Sequence, residues 1–397
     1  MENSSEPNRS ISNGSVRNRF VQTLVVPQGR FQLARYPLRT KEQLRAWDAA
    51  DEYMLHHLHD ENLAAPQRPI LILNDSCGAL ATALGTHRPQ TLSDSYISQQ
   101  ATFANLLNNQ HAPDDICFLH SLAEPTGPFD LVLCKIPKSL AFLEDLLHRI
   151  RPHVHPQTRI IGAGMSRHIH TSTIDLFERI IGPTRTSLAE KKARLIFSQP
   201  NSALDPGPSP YPTQYRLAGT EYALLNHSNV FSRDSLDIGT RLLLEHLPRS
   251  DAQRTIVDLG CGNGVIGLVA ATRNPQAALA FVDESFMAVA SANANFQAAF
   301  GRTREVSFTV GDGLAATAKK SADLILCNPP FHQQQAIDNT APWRMFQQSY
   351  AALKKGGELW VIGNRHLNHH IKLKRIFSHC KTVASSRRFV VLRATKQ

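Results

Sequence analysis

Between residues 255 and 362, short apolar runs rich in β-branched residues alternate with stretches long enough for helices. The runs Thr255 to Leu259, Ala278 to Asp283, Val306 to Val310, Leu324 to Cys327 and Leu359 to Ile362 read as strands, and their alternation predicts a parallel sheet covered by helices. The first half of the chain follows the same rhythm. Four segment pairs match in order: Ile72 to Gly78 with Ile256 to Gly262, Asp94 to Tyr96 with Asp283 to Phe286, Asp130 to Cys134 with Asp323 to Cys327, and Gly162 to His168 with Gly363 to His366. Matches kept in order through both halves predict two copies of one fold. Between them, residues 198–212 hold five prolines and a glycine, which suit neither helix nor central strand. The expected layout is a flexible basic arm over 1–30, a first domain over 31–197, a proline-rich linker over 198–222 and a second domain over 223–397.

A length of 397 residues agrees with two domains of the usual size of about 100 to 200 residues. The chain is 42% hydrophobic and 19% charged, a globular balance, and no run of about 18 apolar residues offers a membrane span. The polar opening residues lack the apolar stretch of an export signal, so the expected location is the cytoplasm. Six scattered cysteines without a C-x-x-C pair predict free thiols and no metal site.

The net charge of +10 is unevenly placed. Residues 1–45 carry eight Lys and Arg against three Glu, residues 354–397 carry eleven against Glu358 alone, and the middle is acidic. Clustered cations at two ends predict contact with a polyanion, and nucleic acid is the natural one. Lys319, Lys320, Lys372, Lys374, Arg375, Arg387 and Arg388 are the candidate phosphate contacts. In the tail these cations alternate with Ile371, Leu373, Ile376, Phe377, Phe389 and Val390, which predicts a folded basic surface.

Chemistry concentrates at the carboxyl ends of the predicted strands in the second half. Asp258-Leu-Gly-Cys-Gly-Asn-Gly264 follows the first of them, Asp283 ends the next, Gly311-Asp312-Gly313 ends the third and Asn328-Pro-Pro-Phe331 ends the fourth. Open parallel sheets bind ligands at that edge, so the four segments should converge on one crevice. Gly260, Gly262 and Gly264 let backbone approach a ligand, Asp283 can accept two ribose hydroxyls, and Asp312 can accept an adenine amino group.

Here the sequence resembles class I S-adenosylmethionine-dependent methyltransferases, with Asp258 to Gly264 in place of their cofactor loop and Asn328 to Phe331 in place of the signature of amino-methylating members. The paired halves and the stretch Val230 to Thr240 resemble, more narrowly, the bacterial ribosomal RNA guanine-N2 methyltransferases. Leu44 to Tyr53 and Pro69 to Gly78 lean toward the large-subunit (23S) branch rather than its small-subunit (16S) relatives. The resemblance implies two tandem Rossmann-like domains, S-adenosyl-L-methionine held by Asp258, Gly260, Gly262, Gly264, Asp283, Asp312, Gly313 and Asn328, and ribosomal RNA as substrate of a monomeric enzyme. It also implies a degenerate first copy serving RNA recognition or stability. Lys135-Ile-Pro-Lys138 stands where the second half has Asn328 to Phe331, and Lys135 and Lys138 join the candidate phosphate contacts.

A purine amine is a poor nucleophile because its lone pair is delocalised into the ring. The side-chain oxygen of Asn328 and the carbonyl of Pro329 can each take an N–H, Pro330 adds no competing donor, and Phe331 offers a stacking face. Three alternatives stay open: the small-subunit RNA as substrate, adenine-N6 or glutamine-N5 as acceptor, and a non-catalytic RNA-binding assembly factor. Cys327 as a covalent nucleophile and His366, His369 and His370 as metal ligands weigh less, the former because it ends an apolar strand.

Overall fold

The computed structural model describes residues 21–39, 42–65, 67–252, 254–330 and 340–397. Each half opens with an antiparallel hairpin and continues into a 7-stranded sheet. In the first half the hairpin is β1 (Gln22–Val26) with β2 (Gly29–Leu33). The sheet strands are β3 (Ile70–Leu73), β4 (Gln90–Ser93), β5 (Cys117–His120), β6 (Phe129–Lys135), β7 (Val154–Met165), β8 (Thr184–Thr186) and β9 (Ala193–Ser198). Helices α1 (Ala49–Asp60), α2 (Ala79–Ala83), α3 (Tyr96–Asn108), α4 (Leu140–Ile150) and α5 (Thr171–Ile180) lie between them.

The second half repeats this plan. Hairpin β10 (Thr213–Arg216) and β11 (Ala223–Asn226) precedes β12 (Thr255–Leu259), β13 (Ala278–Asp283), β14 (Val306–Val310), β15 (Ala322–Cys327), β16 (Leu353–Asn364), β17 (Cys380–Ser385) and β18 (Phe389–Thr395). Its helices are α6 (Ile238–His246), α7 (Val265–Arg273), α8 (Phe286–Phe300), α9 (Thr340–Ala352) and α10 (His369–Phe377).

Strand order is β5-β4-β3-β6-β7-β9-β8 in one sheet and β14-β13-β12-β15-β16-β18-β17 in the other, the same permutation twice. In each sheet one strand, β9 or β18, runs antiparallel to the strands on both sides of it. Two parallel-dominated α/β sheets of identical topology establish the tandem Rossmann-like architecture expected from the repeats. The central strands are buried on both faces, which is why Ile70 to Leu73 reads as an unbroken apolar run. Among the described residues no helix is long and apolar enough to cross a membrane.

Three sequence expectations shift. Residues 22–30 do not belong to a loose arm, because Leu24, Val26, Phe31 and Leu33 alternate inward and pack into the first core with α1. Residues 213–222 do not belong to a linker, because β10 and β11 form the hairpin of the second half. Equivalent asparagines pin both hairpins: Asn105 exchanges bonds of 2.9 Å with the Ala34 N–H and carbonyl, and Asn295 bonds Leu225 the same way at 2.7 and 2.9 Å. Finally, the glycine turns align two residues further along than the sequence match suggests, since Gly78 and Gly264 are the left-handed caps of α2 and α7.

The halves share a core. Val230 and Met287 of the second half pack within the first half's cluster around Leu92, Phe142 and Leu146.

Candidate functional site

At the end of β12 the chain turns through Gly260 (φ 72°), Gly262 (φ 54°) and Gly264 (φ 80°) into α7. Two of these glycines have opposite reasons for lacking a side chain. A Cβ on Gly264 would stand 2.9 Å from Ala292 Cβ, so this glycine permits close packing of α7 on α8. A Cβ on Gly262 would meet nothing within 4 Å, because that position faces open space. The turn is held from below by Asp283 at the end of β13, whose Oδ2 accepts the Gly262 N–H at 2.9 Å and whose Oδ1 accepts the Ser285 N–H at 3.0 Å. Burial raises the Asp283 carboxyl, opposed by those backbone donors.

A cleft of about 520 Å³ opens over this edge, within the range of about 300 to 1,000 Å³ usual for cofactor sites. Gly260, Gly262, Asp283, Asp312, Gly313, Asn328, Pro329 and Pro330 line it, so the ends of four strands do converge. Asp258 and Gly264 lie behind it. Asp258 is fully buried, accepts the Gly267 N–H at 2.8 Å, and burial pushes its carboxyl up to about 8, so it braces the start of α7. Phe331 lies outside the described residues.

Asn328 brings an open hydrogen-bond acceptor to the cleft. Its Nδ2 donates to Thr240 Oγ1 at 3.0 Å, while its Oδ1 is buried with no hydrogen-bond partner. A buried acceptor left open costs free energy unless a donor arrives, so the site is built for an N–H. Cys327 beside it is buried among apolar strands and its thiol is pushed well up, which leaves no thiolate for covalent catalysis. Among the described residues no group of three or more His, Cys, Asp or Glu side chains could hold a metal ion.

Among the lining residues that sequence reasoning missed, four bear on the chemistry. Arg344 of α9 pairs with Asp312 at 2.6 Å, so burial raises the Asp312 carboxyl against an arginine that lowers it. Arg344 belongs to no motif that the sequence offers. Ile97 comes from the first half, and only the tertiary fold brings it here. Asp237 and Thr240 sit inside the noticed stretch Val230 to Thr240, but nothing in that stretch assigns them a task.

The equivalent place in the first half is filled by protein. Asn74, Ser76 and Gly78 occupy the positions of Gly260, Gly262 and Gly264, and Ser93 replaces Asp283. Asp75 turns its carboxylate into the mouth of α2, accepting N–H groups from Gly78, Ala79, Leu80 and Ala81 at 2.9 to 3.1 Å. Lys135, equivalent to Asn328, lies between Asp48 (2.8 Å) and Asp51 (2.7 Å) with its side chain 12% exposed. Burial works against the ammonium, but Asp51 and Asp48 hold it up at about 12. Its charge is thus neutralised inside the protein rather than offered to phosphate, whereas Lys138 is exposed.

The other candidate phosphate contacts separate by position. Arg387 and Arg388 are exposed in the turn between β17 and β18, on the same sheet edge as Asn328, because Phe389 pairs with Asn364 at the carboxyl end of β16. Lys372, Lys374 and Arg375 lie along α10, and Lys319 and Lys320 are exposed before β15, at the opposite edge.

Comparison with known proteins fits this geometry. Residues 21–202 match the family described as RLMG N-terminal domain, and residues 221–393 match the family described as methyltransferase small domain. A solved structure of a T. thermophilus 16S ribosomal RNA N2 guanine methyltransferase, in complex with AdoMet and guanosine, superposes with a TM-score of 0.70 at 20% identity, covering 96% of this chain and 99% of that one. Fold and matches together define a two-domain protein whose second half is a methyltransferase domain. The particular family follows from full-length relatives: ribosomal RNA large subunit methyltransferase G of Streptomyces griseus is 49% identical over 96% of this chain and all of its own, and that of Pseudomonas aeruginosa 49% over 93% and 98%. The chain belongs to the ribosomal RNA large subunit methyltransferase G family.

Proposed function

We propose that the protein methylates the exocyclic N2 amine of a guanine in large-subunit ribosomal RNA, using S-adenosylmethionine, in the cytoplasm where that RNA resides. The observation carrying this reading is the unpartnered Oδ1 of Asn328 in the cleft, an acceptor positioned for an amine N–H. The relatives' names favour the large-subunit RNA over the small-subunit one, at 49% identity against 20%.

The cofactor's parts find matching groups. The open face at Gly262 admits a ligand to the turn, Asp283 offers carboxylate oxygens to ribose hydroxyls, and Asp312 with Arg344 lies where the base would reach. When bound, S-adenosylmethionine supplies a methyl carbon made electrophilic by a positive sulfur. Asn328 Oδ1 and the Pro329 carbonyl accept the two amine hydrogens, draw the nitrogen toward tetrahedral geometry and aim its lone pair. No strong base is needed, since a proton leaves readily once nitrogen has four bonds. Arg387 and Arg388 at the same edge supply phosphate contacts that hold the RNA there.

The reading is tested with labelled S-adenosylmethionine and ribosomal RNA. Wild-type protein should transfer label, and Asn328→Ala should lose transfer while keeping calorimetric affinity for the cofactor.

A further inference from the structure

Asn328 is useful only if its oxygen, not its nitrogen, faces the incoming amine. A carboxamide is nearly symmetric in shape, so the choice between the two orientations has to come from its neighbours. In the cleft the deciding neighbour is Thr240, the third residue of α6. Its hydroxyl lies 3.2 Å from Asp237 Oδ2 and 3.0 Å from Asn328 Nδ2. A hydroxyl has one proton, and a carboxylate can only accept it. With that proton committed to Asp237, Thr240 Oγ1 must act as acceptor toward Asn328, so Asn328 presents NH2 to Thr240 and leaves Oδ1 open to the cleft. Asp237 is fixed in turn as the N-cap of α6, accepting the Thr240 N–H at 2.8 Å.

We infer that Asp237 and Thr240 are positioning residues that set the polarity of Asn328 and thereby select an amine donor over an acceptor such as a ring nitrogen. The inference rests on the methyl-transfer reading above. The degenerate half supplies independent support. Asp48 caps α1 as Asp237 caps α6, Asp51 stands at the third helical position as Thr240 does, and Lys135, the last residue of β6, takes the place of Asn328 just past β15. There the same three positions also touch one another, but as carboxylate, carboxylate and ammonium at 2.8 and 2.7 Å. The three positions therefore form one contacting unit in both copies: an ion pair that closes the dead site, and a directional hydrogen-bond chain that opens an acceptor in the live one.

The test is Thr240→Val, which keeps the shape and the backbone cap and removes only the hydroxyl. Expected is a fall in kcat on ribosomal RNA on the order of ten- to a hundredfold, as for other supporting-shell groups. Calorimetric affinity for S-adenosylmethionine should stay within about twofold, and Thr240→Ser should restore most of the rate. Wild-type kcat in Thr240→Val, or Thr240→Ser as impaired as Thr240→Val, would overturn the inference. If instead the wild-type protein itself carries no methyl onto ribosomal RNA, it is the methyl-transfer reading that fails.

Discussion

Ser95 and Ser285, the equivalent N-caps of α3 and α8, pair with each other in an antiparallel bridge across the seam between the two halves. The bonds around them are reciprocal. The Tyr96 N–H donates to the Glu284 carbonyl at 2.9 Å and the Phe286 N–H to the Asp94 carbonyl at 3.0 Å, while Ser285 Oγ donates to Asp94 and Ser95 Oγ to Glu284. The copies thus meet through the same segment of each, and in the second half that segment carries Asp283. Through Asp94 and Ser285 the first domain thus touches the Asp283 that holds its twin's glycine turn.

Asp94 is the member of this seam with most to lose. It accepts from Ser121, Ser285, Asn229 and the Met287 N–H at 2.6 to 2.9 Å. Asp94→Ala strands those buried donors and should cost about 2 to 4 kcal/mol in urea unfolding. It should also weaken S-adenosylmethionine binding, since Ser285 supports Asp283. A variant with full stability and full affinity would contradict the seam's role.

Gly262 and Gly264, in the turn proposed to hold the cofactor, should fail differently. Gly264→Ala forces a Cβ against Ala292 at 2.9 Å and should lower the melting temperature. Gly262→Ala places its methyl in open space, so apart from about 1 kcal/mol for its positive φ it should fold. Its loss should appear as cofactor affinity. Equal effects on both properties from both variants would count against this division.

Stability should fall as pH rises from about 4 to about 8. Burial holds the Asp258 carboxyl at about 8 in the folded protein, far above its ordinary value of 3.8. Between those values the folded chain keeps a proton that the unfolded chain has released, so rising pH favours unfolding, and the loss levels off above the folded value. Asp258→Asn removes this titration. Urea midpoints measured across the window should slope less in the variant than in wild type, and identical slopes would refute the assignment.

Lys135 and the pair Arg387 and Arg388 should separate in salt titrations. Replacing Lys135 by Ala leaves Asp48 and Asp51 facing each other and should destabilise the first half by about 3 kcal/mol without altering the salt dependence of RNA binding. Replacing Arg387 and Arg388 should leave stability alone and flatten the salt dependence by about one unit each. The reverse pattern would return Lys135 to the RNA surface.

Much of this architecture was legible in the sequence because its signals are local. The predicted limits of β12, β13 and β14 match the strands, since β12 and β13 are largely apolar runs between parallel neighbours and β14, at the sheet edge, alternates half-buried Val306, Phe308 and Val310 with exposed Ser307 and Thr309. The glycine turn and Asn328 were visible for the same reason. What stayed hidden depends on distant pairing. Leu24 and Phe31 declare a strand only once α1 covers them, Lys135 looks like a free cation until Asp48 and Asp51 arrive from 87 and 84 residues away, and Ile97 reaches the cleft from another domain. Thr240 was in view but mute, because its task lies in the direction of one hydroxyl proton.

The central claim is that this chain places a methyl group on guanine N2 of large-subunit ribosomal RNA. Purified protein, S-adenosylmethionine with a labelled methyl, and separated large- and small-subunit RNA from cells lacking the activity would be incubated, and the digested nucleosides identified by mass spectrometry. The account predicts labelled N2-methylguanosine in the large-subunit RNA alone. Label in methyladenosine, in the small-subunit RNA, or in neither RNA would contradict it.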